Sequence, residues 1–259
     1  MDAPDQAITW RMQAGAAWLG INRPAKRNAL AGSHWAMLEQ CLGEIAASGA
    51  GVMVLHGVPG AFSAGADIEE LGELLAEPAR FEASNAQVQR TQLALQRMPQ
   101  TSIAMIDGAC VGGGLGLALA CDLRIASTRS RFGLSPAKLG LVYSPDDTRR
   151  LANVVGMARA RQMLLTGMLL DAATARDWGL VNALVESDGL QAAVDGLLAD
   201  FAATSASARA GIKQVLAHVG GDAALDLAAA TAAFDGAFAS ADFAEGARAF
   251  LDKRPPRFG

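Results

Sequence analysis

Apolar positions open the chain in two short runs, Ala7 to Met12 and Ala16 to Ile21, with a turn at Ala14-Gly15 between them, and both runs read as strands. Asn22-Arg23-Pro24 ends the pairing, because proline has no N–H to give a ladder. Ser33 is the expected N-cap of a helix that carries Trp35, Leu38, Leu42 and Ile45 on one face, and Gly49 and Gly51 stop it. Val52 to Leu55 reads as a buried strand, and a loop with Gly57, Gly60 and Gly65 leads to a helix starting near Asp67. Pro78 opens a longer helix with Phe81, Val88 and Leu95 spaced seven apart, a stripe too short for a coiled coil and therefore assigned to the core. Thr101 to Ile106 and Asp122 to Ala126 are further strands, separated by a glycine run and a short helix.

From about Asp146 onward the pattern is almost wholly helical. Leu190, Val194, Leu197, Leu198 and Phe201 share one face, and Ile212, Val215, Leu216 and Val219 another. The Ala-rich segment from Ala223 to Ala233 has Leu227, Phe234 and Phe238 as its larger apolar anchors. The expected fold class is α/β: a front of residues 1–190 followed by a helical tail of residues 191–259.

Composition narrows the classes. A chain of 259 residues, 51% apolar and 19% charged, can build one large core and is too apolar for disorder. A net charge of −4, with no basic stripe among the aromatics, argues against nucleic acid as a partner. Cys41, Cys110 and Cys121 form no C-x-x-C pair, which suits a reduced, cytoplasmic protein. The polar start, Met1 to Gln6, resembles no targeting segment. Ile103 to Cys121 is apolar enough to raise the question of a membrane span, but Asp107 lies inside it, so the expectation is a soluble chain with no membrane partner. His34, His56 and His218 do not cluster, so no metal site is expected, and Cys110 reads as a small buried filler.

Two loops between strand and helix could carry chemistry: Ala61-Phe62-Ser63-Ala64-Gly65-Ala66-Asp67, and Asp107 to Gly116 with its Gly112-Gly113-Gly114 run. Small residues at a helix start leave backbone N–H groups open, and two such donors aimed at one point can stabilise an oxyanion. Taken alone, either loop reads first as a tight turn. Neither has the spacing of a nucleotide-binding loop.

Taken together and in order, the motifs resemble the enoyl-CoA hydratase/isomerase (crotonase) family. They are Asn22-Arg23-Pro24 with Arg27-Asn28-Ala29-Leu30, the Phe62 to Asp67 stretch, the glycine run leading to Cys121-Asp122-Leu123-Arg124-Ile125-Ala126, Phe132-Gly133 with Leu139-Gly140, Arg150-Leu151, Asp177 to Asn182, and the ending Phe250 to Phe258. The resemblance implies a crotonase-like spiral of β-β-α turns and a C-terminal helical region that assembles trimers or pairs of trimers. It also implies an acyl-CoA substrate, coenzyme A entering as part of that substrate and no further cofactor. The thioester oxygen would meet the backbone N–H groups of Ala66 and Gly113, with Ala64, Asp67 and Ile68 lining the CoA. Lys26, Arg27 and Lys253 would meet its phosphates, since Glu69 replaces a basic residue that some relatives use.

The sequence departs from that family at the chemistry. Gly116 and Pro136 stand where hydratases carry their two glutamates, and neither can transfer a proton. The nearby candidates are Tyr143, Ser144, Asp146 and Asp147; at least one of the acids reads as a helix cap or first-turn acid. Dehalogenating members and dienoyl-CoA isomerases place an aspartate where Ser144 stands, so dehalogenation is rejected. Pro136-x-x-Leu139-Gly140-x-x-Tyr143 resembles the methylmalonyl-CoA decarboxylases in part, although those carry a histidine where Ala66 stands. Three readings follow: an enzyme acting on acyl-CoA through a stabilised enolate, a decarboxylase or other lyase, and a CoA-binding assembly protein without catalysis. Glu70, in the helix after the first loop, is an outside candidate for an acid.

Overall fold

The computed structural model describes residues 7–58, 60–222, 224 and 226–258, so Met1 to Gln6 and, within the Ala-rich segment, Ala223 and Leu225 lie outside the described residues. Strands β1 (Ile8–Gln13) and β2 (Ala16–Ile21) form an antiparallel hairpin that pairs Ile8 with Ile21. The sheet then continues in parallel through β3 (Val52–Gly57), β5 (Thr101–Ile106), β7 (Leu123–Ser127) and β10 (Ala183–Val185). A second sheet runs in the order β4 (Ala61–Ser63), β6 (Ala109–Val111), β8 (Arg131–Gly133) and β9 (Leu169–Asp171). Parallel strands covered on both faces need continuous apolar runs, and Met53, Val54, Leu55, Ile103 and Ala104 are fully buried.

A repeating unit explains both sheets. The parallel strands β3, β5 and β7 are each followed by a short one that joins the second sheet, and then by helix. β3 and β4 lead to α2 (Ile68–Leu74) and α3 (Pro78–Gln96). β5 and β6 lead to α4 (Gly113–Ala120), while β7 and β8 lead to α5 (Pro145–Val155) and α6 (Met157–Thr166). Equivalent strands stack turn upon turn, which produces the spiral. Two of the sequence motifs are fastenings of this spiral. Buried Arg124 donates to the carbonyls of Leu180 at 2.8 Å and Cys121 at 2.8 Å, and its N–H donates to Asn182 Oδ1 at 2.8 Å. The Cys-Asp-x-Arg and Gly-Leu-Val-Asn stretches are therefore two halves of one joint.

Three expectations need correction. The first helix, α1 (Gly32–Ala46), is capped at Ala31 and not at Ser33. Its open N–H groups find acceptors elsewhere: Ala31 N–H donates to His34 Nδ1 at 3.1 Å and Gly32 N–H to Glu70 Oε2 at 2.8 Å. The region after Asp146 is not almost wholly helical, because β9 and β10, on either side of α7 (Ala172–Asp177), cross it, each only three residues long. In the Phe81, Val88, Leu95 stripe only Leu95 is fully in the core.

Toward the C-terminus, α8 (Leu190–Ala202) seats Leu190 and Val194 on Trp18, Val54, Ile103 and Ile125. Beyond it, α9 (Ala206–Val219), α10 (Leu227–Ala237) and α11 (Ala241–Leu251) leave Ile212, Leu216, Phe234, Phe238, Phe243 and Phe250 exposed. Among the described residues no helix is long and apolar enough to cross a membrane.

Candidate active site

The first loop is held from beneath by the Asn-Arg-Pro turn. Buried Asn28 donates through Nδ2 to Ala61 O at 2.7 Å and accepts the Arg23 N–H at Oδ1 at 2.8 Å. Ser63 Oγ donates to Asn28 O at 2.8 Å, and Ala64 N–H donates to Arg27 O at 3.0 Å. Leu30 then forms a parallel bridge with Ala66, in which Leu30 N–H donates to Gly65 O at 2.8 Å and Asp67 N–H to Leu30 O at 3.1 Å. Both bonds of that bridge use the neighbours of Ala66, so the Ala66 N–H points away from Leu30.

The second loop meets the first at glycines. Gly65 (φ +90°) and Gly112 (φ +52°) adopt backbone that L side chains rarely take. A Cβ on Gly65 would lie 2.9 Å from Val111 O and 3.4 Å from the nitrogen of Gly113. Gly113 begins α4, where N–H groups have no acceptor inside the helix. Its place is tight: a Cβ on Gly113 would come within 2.8 Å of the Trp35 ring, and one on Gly114 within 2.6 Å of Ser63 O. The structure thus sets Gly65-Ala66 against Gly112-Gly113, with partial positive charge from the α4 N-terminus at the junction.

One turn into α4, Gly116 has no side chain, and Gln92 from α3 fills that volume. A Cβ at 116 would be 2.4 Å from Gln92 Nε2. Gln92 Oε1 accepts from Arg150 Nη1 at 3.2 Å, and that same Nη1 lies 3.3 Å from Asp147 Oδ1. Asp147 Oδ2 accepts from Ser144 Oγ at 2.7 Å and from Gln89 Nε2 at 3.0 Å. Gln92, Asp147 and Arg150 are all buried. Three atoms of this cluster are buried without a hydrogen-bond partner: Tyr143 Oη, Asp147 Oδ1 and Arg150 Nη2. Burial first, and then the Asp147 charge, push the Tyr143 hydroxyl well above the usual phenol range.

The remaining candidates are spread out. Ser144 is the N-cap of α5 and accepts the Asp147 N–H at 3.1 Å, while exposed Asp146 pairs with Arg149 at 2.9 Å. Asp67 caps α2 and pairs with Arg23 at 3.0 Å. Burial raises its carboxyl, but Arg23, the Glu69 amide and Lys26 outweigh that and hold it below the usual range. Lys26 forms an ion pair with Glu69, Arg27 and Lys253 are exposed with φ near +50°, Pro136 precedes a 3-10 turn, and Ile68 is 81% exposed. Glu70 is occupied in capping α1. Cys110 is buried, and burial raises its thiol far above the ordinary range, which fits a filler. No sequence motif contains Gln92, and Arg150 enters only through the Arg150-Leu151 pair. The signal for Gln92 was its helical spacing: with Thr91 it puts polar groups on the inward stripe that ends at Leu95.

The sequence profile described as enoyl-CoA hydratase/isomerase matches residues 11–259. The mitochondrial methylglutaconyl-CoA hydratase of Rattus norvegicus is 30% identical over 252 residues, covering 94% of this chain and 79% of that protein. Among solved structures, an enoyl-CoA hydratase/carnithine racemase from Magnetospirillum magneticum superimposes with a TM-score of 0.90 at 32% identity, covering 98% of this chain and 96% of that one. The enoyl-CoA hydratase from Bacillus anthracis gives 0.88 at 27% identity, covering 98% and 99%.

Proposed function

The chain belongs to the enoyl-CoA hydratase/isomerase family, and from that premise we propose that it is an enzyme acting on an acyl-CoA thioester, whose carbonyl oxygen is held by the backbone N–H groups of Ala66 and Gly113. The observation that carries this reading is the junction of Gly65-Ala66 with the start of α4, where among the described residues the N–H groups of Ala66 and Gly113 have no backbone acceptor. Negative charge arriving on the thioester oxygen as an enolate forms is stabilised there by donors already in place. No carboxylate stands at Gly116 or Pro136, so the proton traffic of hydration has no carrier at either position. Ser144 and Asp146 serve α5 as cap and surface pair, which leaves Tyr143 as the side chain best suited to orient or protonate the acyl group. Lys26, Arg27 and Lys253 supply positive charge for the CoA phosphates, with Ala64, Asp67 and Ile68 along the CoA path.

A second reading, loss of a carboxylate from the acyl group, is favoured by one observation: the Tyr143 hydroxyl is buried without a partner, and neither Gly116 nor Pro136 carries a carboxylate. Breaking the carbon–carboxylate bond leaves its electron pair as the same enolate, so no base is required. The test is spectroscopic. Purified protein is mixed with crotonyl-CoA and the conjugated-thioester absorbance is followed, then malonyl-CoA is supplied and carbon dioxide release is measured. Turnover of either that is abolished by Gly113→Pro supports the donor pair; full turnover in a folded Gly113→Pro protein overturns it. We place assembly as a trimer or dimer of trimers on the exposed apolar faces of α9 to α11.

A further inference from the structure

The chemistry of Gln92 can be read from its neighbours. Arginine only donates, so the atom of the carboxamide that faces Arg150 Nη1 at 3.2 Å is the oxygen. That leaves Nε2, a donor, facing the backbone of Gly116, and among the described residues it has no assigned acceptor. Gln92 is 1% exposed, so this donor is held in place. Its anchor is itself anchored: Arg150 and Asp147 form a buried pair, and Asp147 is fixed by Ser144 and Gln89. The chain Asp147–Arg150–Gln92 pairs one carboxylate with one guanidinium and ends on a carboxamide. Its effect is to aim one N–H.

The aim is toward Gly116, one turn into α4. Gly116 is three residues from Gly113 on the same side of α4, a rise of about 4.5 Å. A thioester whose carbonyl oxygen sits at Gly113 and whose acyl group runs along α4 brings the carbon beyond the α-carbon within reach of position 116. A donor held there is left unsatisfied by a methyl group, whereas an oxygen satisfies it.

We propose that Gln92 is a specificity-determining residue and that this site takes acyl-CoA thioesters carrying an oxygen acceptor on the β-carbon, either a 2-carboxyacyl or a 3-oxoacyl group. The proposal rests on the acyl-CoA reading above and adds which acyl groups are chosen. Binding of malonyl-CoA, acetoacetyl-CoA and butyryl-CoA to the full-length protein, followed by calorimetry, tests it. One or both oxygenated thioesters should bind roughly ten- to hundredfold tighter than butyryl-CoA. The advantage should vanish in Gln92→Leu, with butyryl-CoA affinity retained. Gln92→Glu, nearly isosteric and able to pair with Arg150, should lose malonyl-CoA binding while still binding butyryl-CoA, and it keeps the test open if the leucine variant misfolds. Preference for malonyl-CoA over acetoacetyl-CoA identifies the carboxylate as the ligand, and the reverse identifies the ketone. Equal affinity for all three in the wild-type protein, or a preference unchanged in both variants, overturns the proposal for Gln92 and leaves the acyl-CoA reading standing. Failure of all three thioesters to bind overturns both.

Discussion

At the scale of single residues, the buried polar cluster has large consequences because its parts depend on one another. Asp147→Ala removes the partner of a buried guanidinium, and such uncompensated charges cost about 3–5 kcal/mol. The double variant Asp147→Ala with Arg150→Met should recover most of that loss in urea denaturation, whereas independent sites would add. His34 gives a second expectation. Its Nδ1 accepts the Ala31 N–H, which only a neutral ring can do. Burial, then the charge of Arg23, lower its pKa from the ordinary 6.5, outweighing Asp67 and Glu70. The unfolded chain therefore takes up this proton first, so the stability present above pH 6.5 declines as pH falls through the lowered folded value. Melting temperature measured from pH 7.5 to 5 should fall less in His34→Asn than in the wild type.

At the scale of elements, Ser144 separates a structural part from a chemical one. As N-cap of α5 it should cost about 0.5–2 kcal/mol when changed to alanine. Turnover with an accepted thioester should change little; a collapse of kcat in a fully stable Ser144→Ala protein would return the hydroxyl to the chemistry. The Asn28 scaffold acts differently, since Asn28→Ala leaves Ala61 O and the Arg23 N–H without their partner beneath the first loop. A loss of about 1–3 kcal/mol, with a rise in KM for any accepted thioester, is expected. Elements with a period were legible from the sequence: the buried face Trp35, Leu38, Leu42 and Ile45 follows helical spacing, and β2 and β5 match their runs. The start of α1 was not, because the Gly32 N–H is satisfied by Glu70, 38 positions along the chain, and Ala31, with no capping side chain of its own, takes the cap position. β9 and β10 were too short for any period to show.

For the whole molecule, what was legible is the order of motifs, and what was hidden is their meeting. Nothing local says that Arg124 closes on Leu180 and Asn182, or that Gln92 comes to fill the space beside Gly116. Those contacts join segments that the spiral alone brings together. The C-terminal helices extend the point outward. Phe234, Phe238 and Phe243 stack edge to face at 5.2 and 5.7 Å, yet remain more than half exposed. Such a ridge calls for a partner surface. Light scattering should give a mass of three or six chains, and Phe238→Ser with Phe243→Ser should lower it toward one; a monomeric wild-type protein would refute the assembly.

Helix α4 has a property that can be read without any substrate turnover. From Gly114 to Ala120 it is buried on every side, while Gly113 at its head is only half-buried and gives its N–H to nothing in the helix. Deuterium uptake should therefore be slowest along the body of this helix and fast at its first residue. A thioester oxygen seated there would slow the Gly113 amide, and that of Ala66 across from it, and leave the rest of the helix as it was, so one backbone hydrogen of α4 reports whether the site is full.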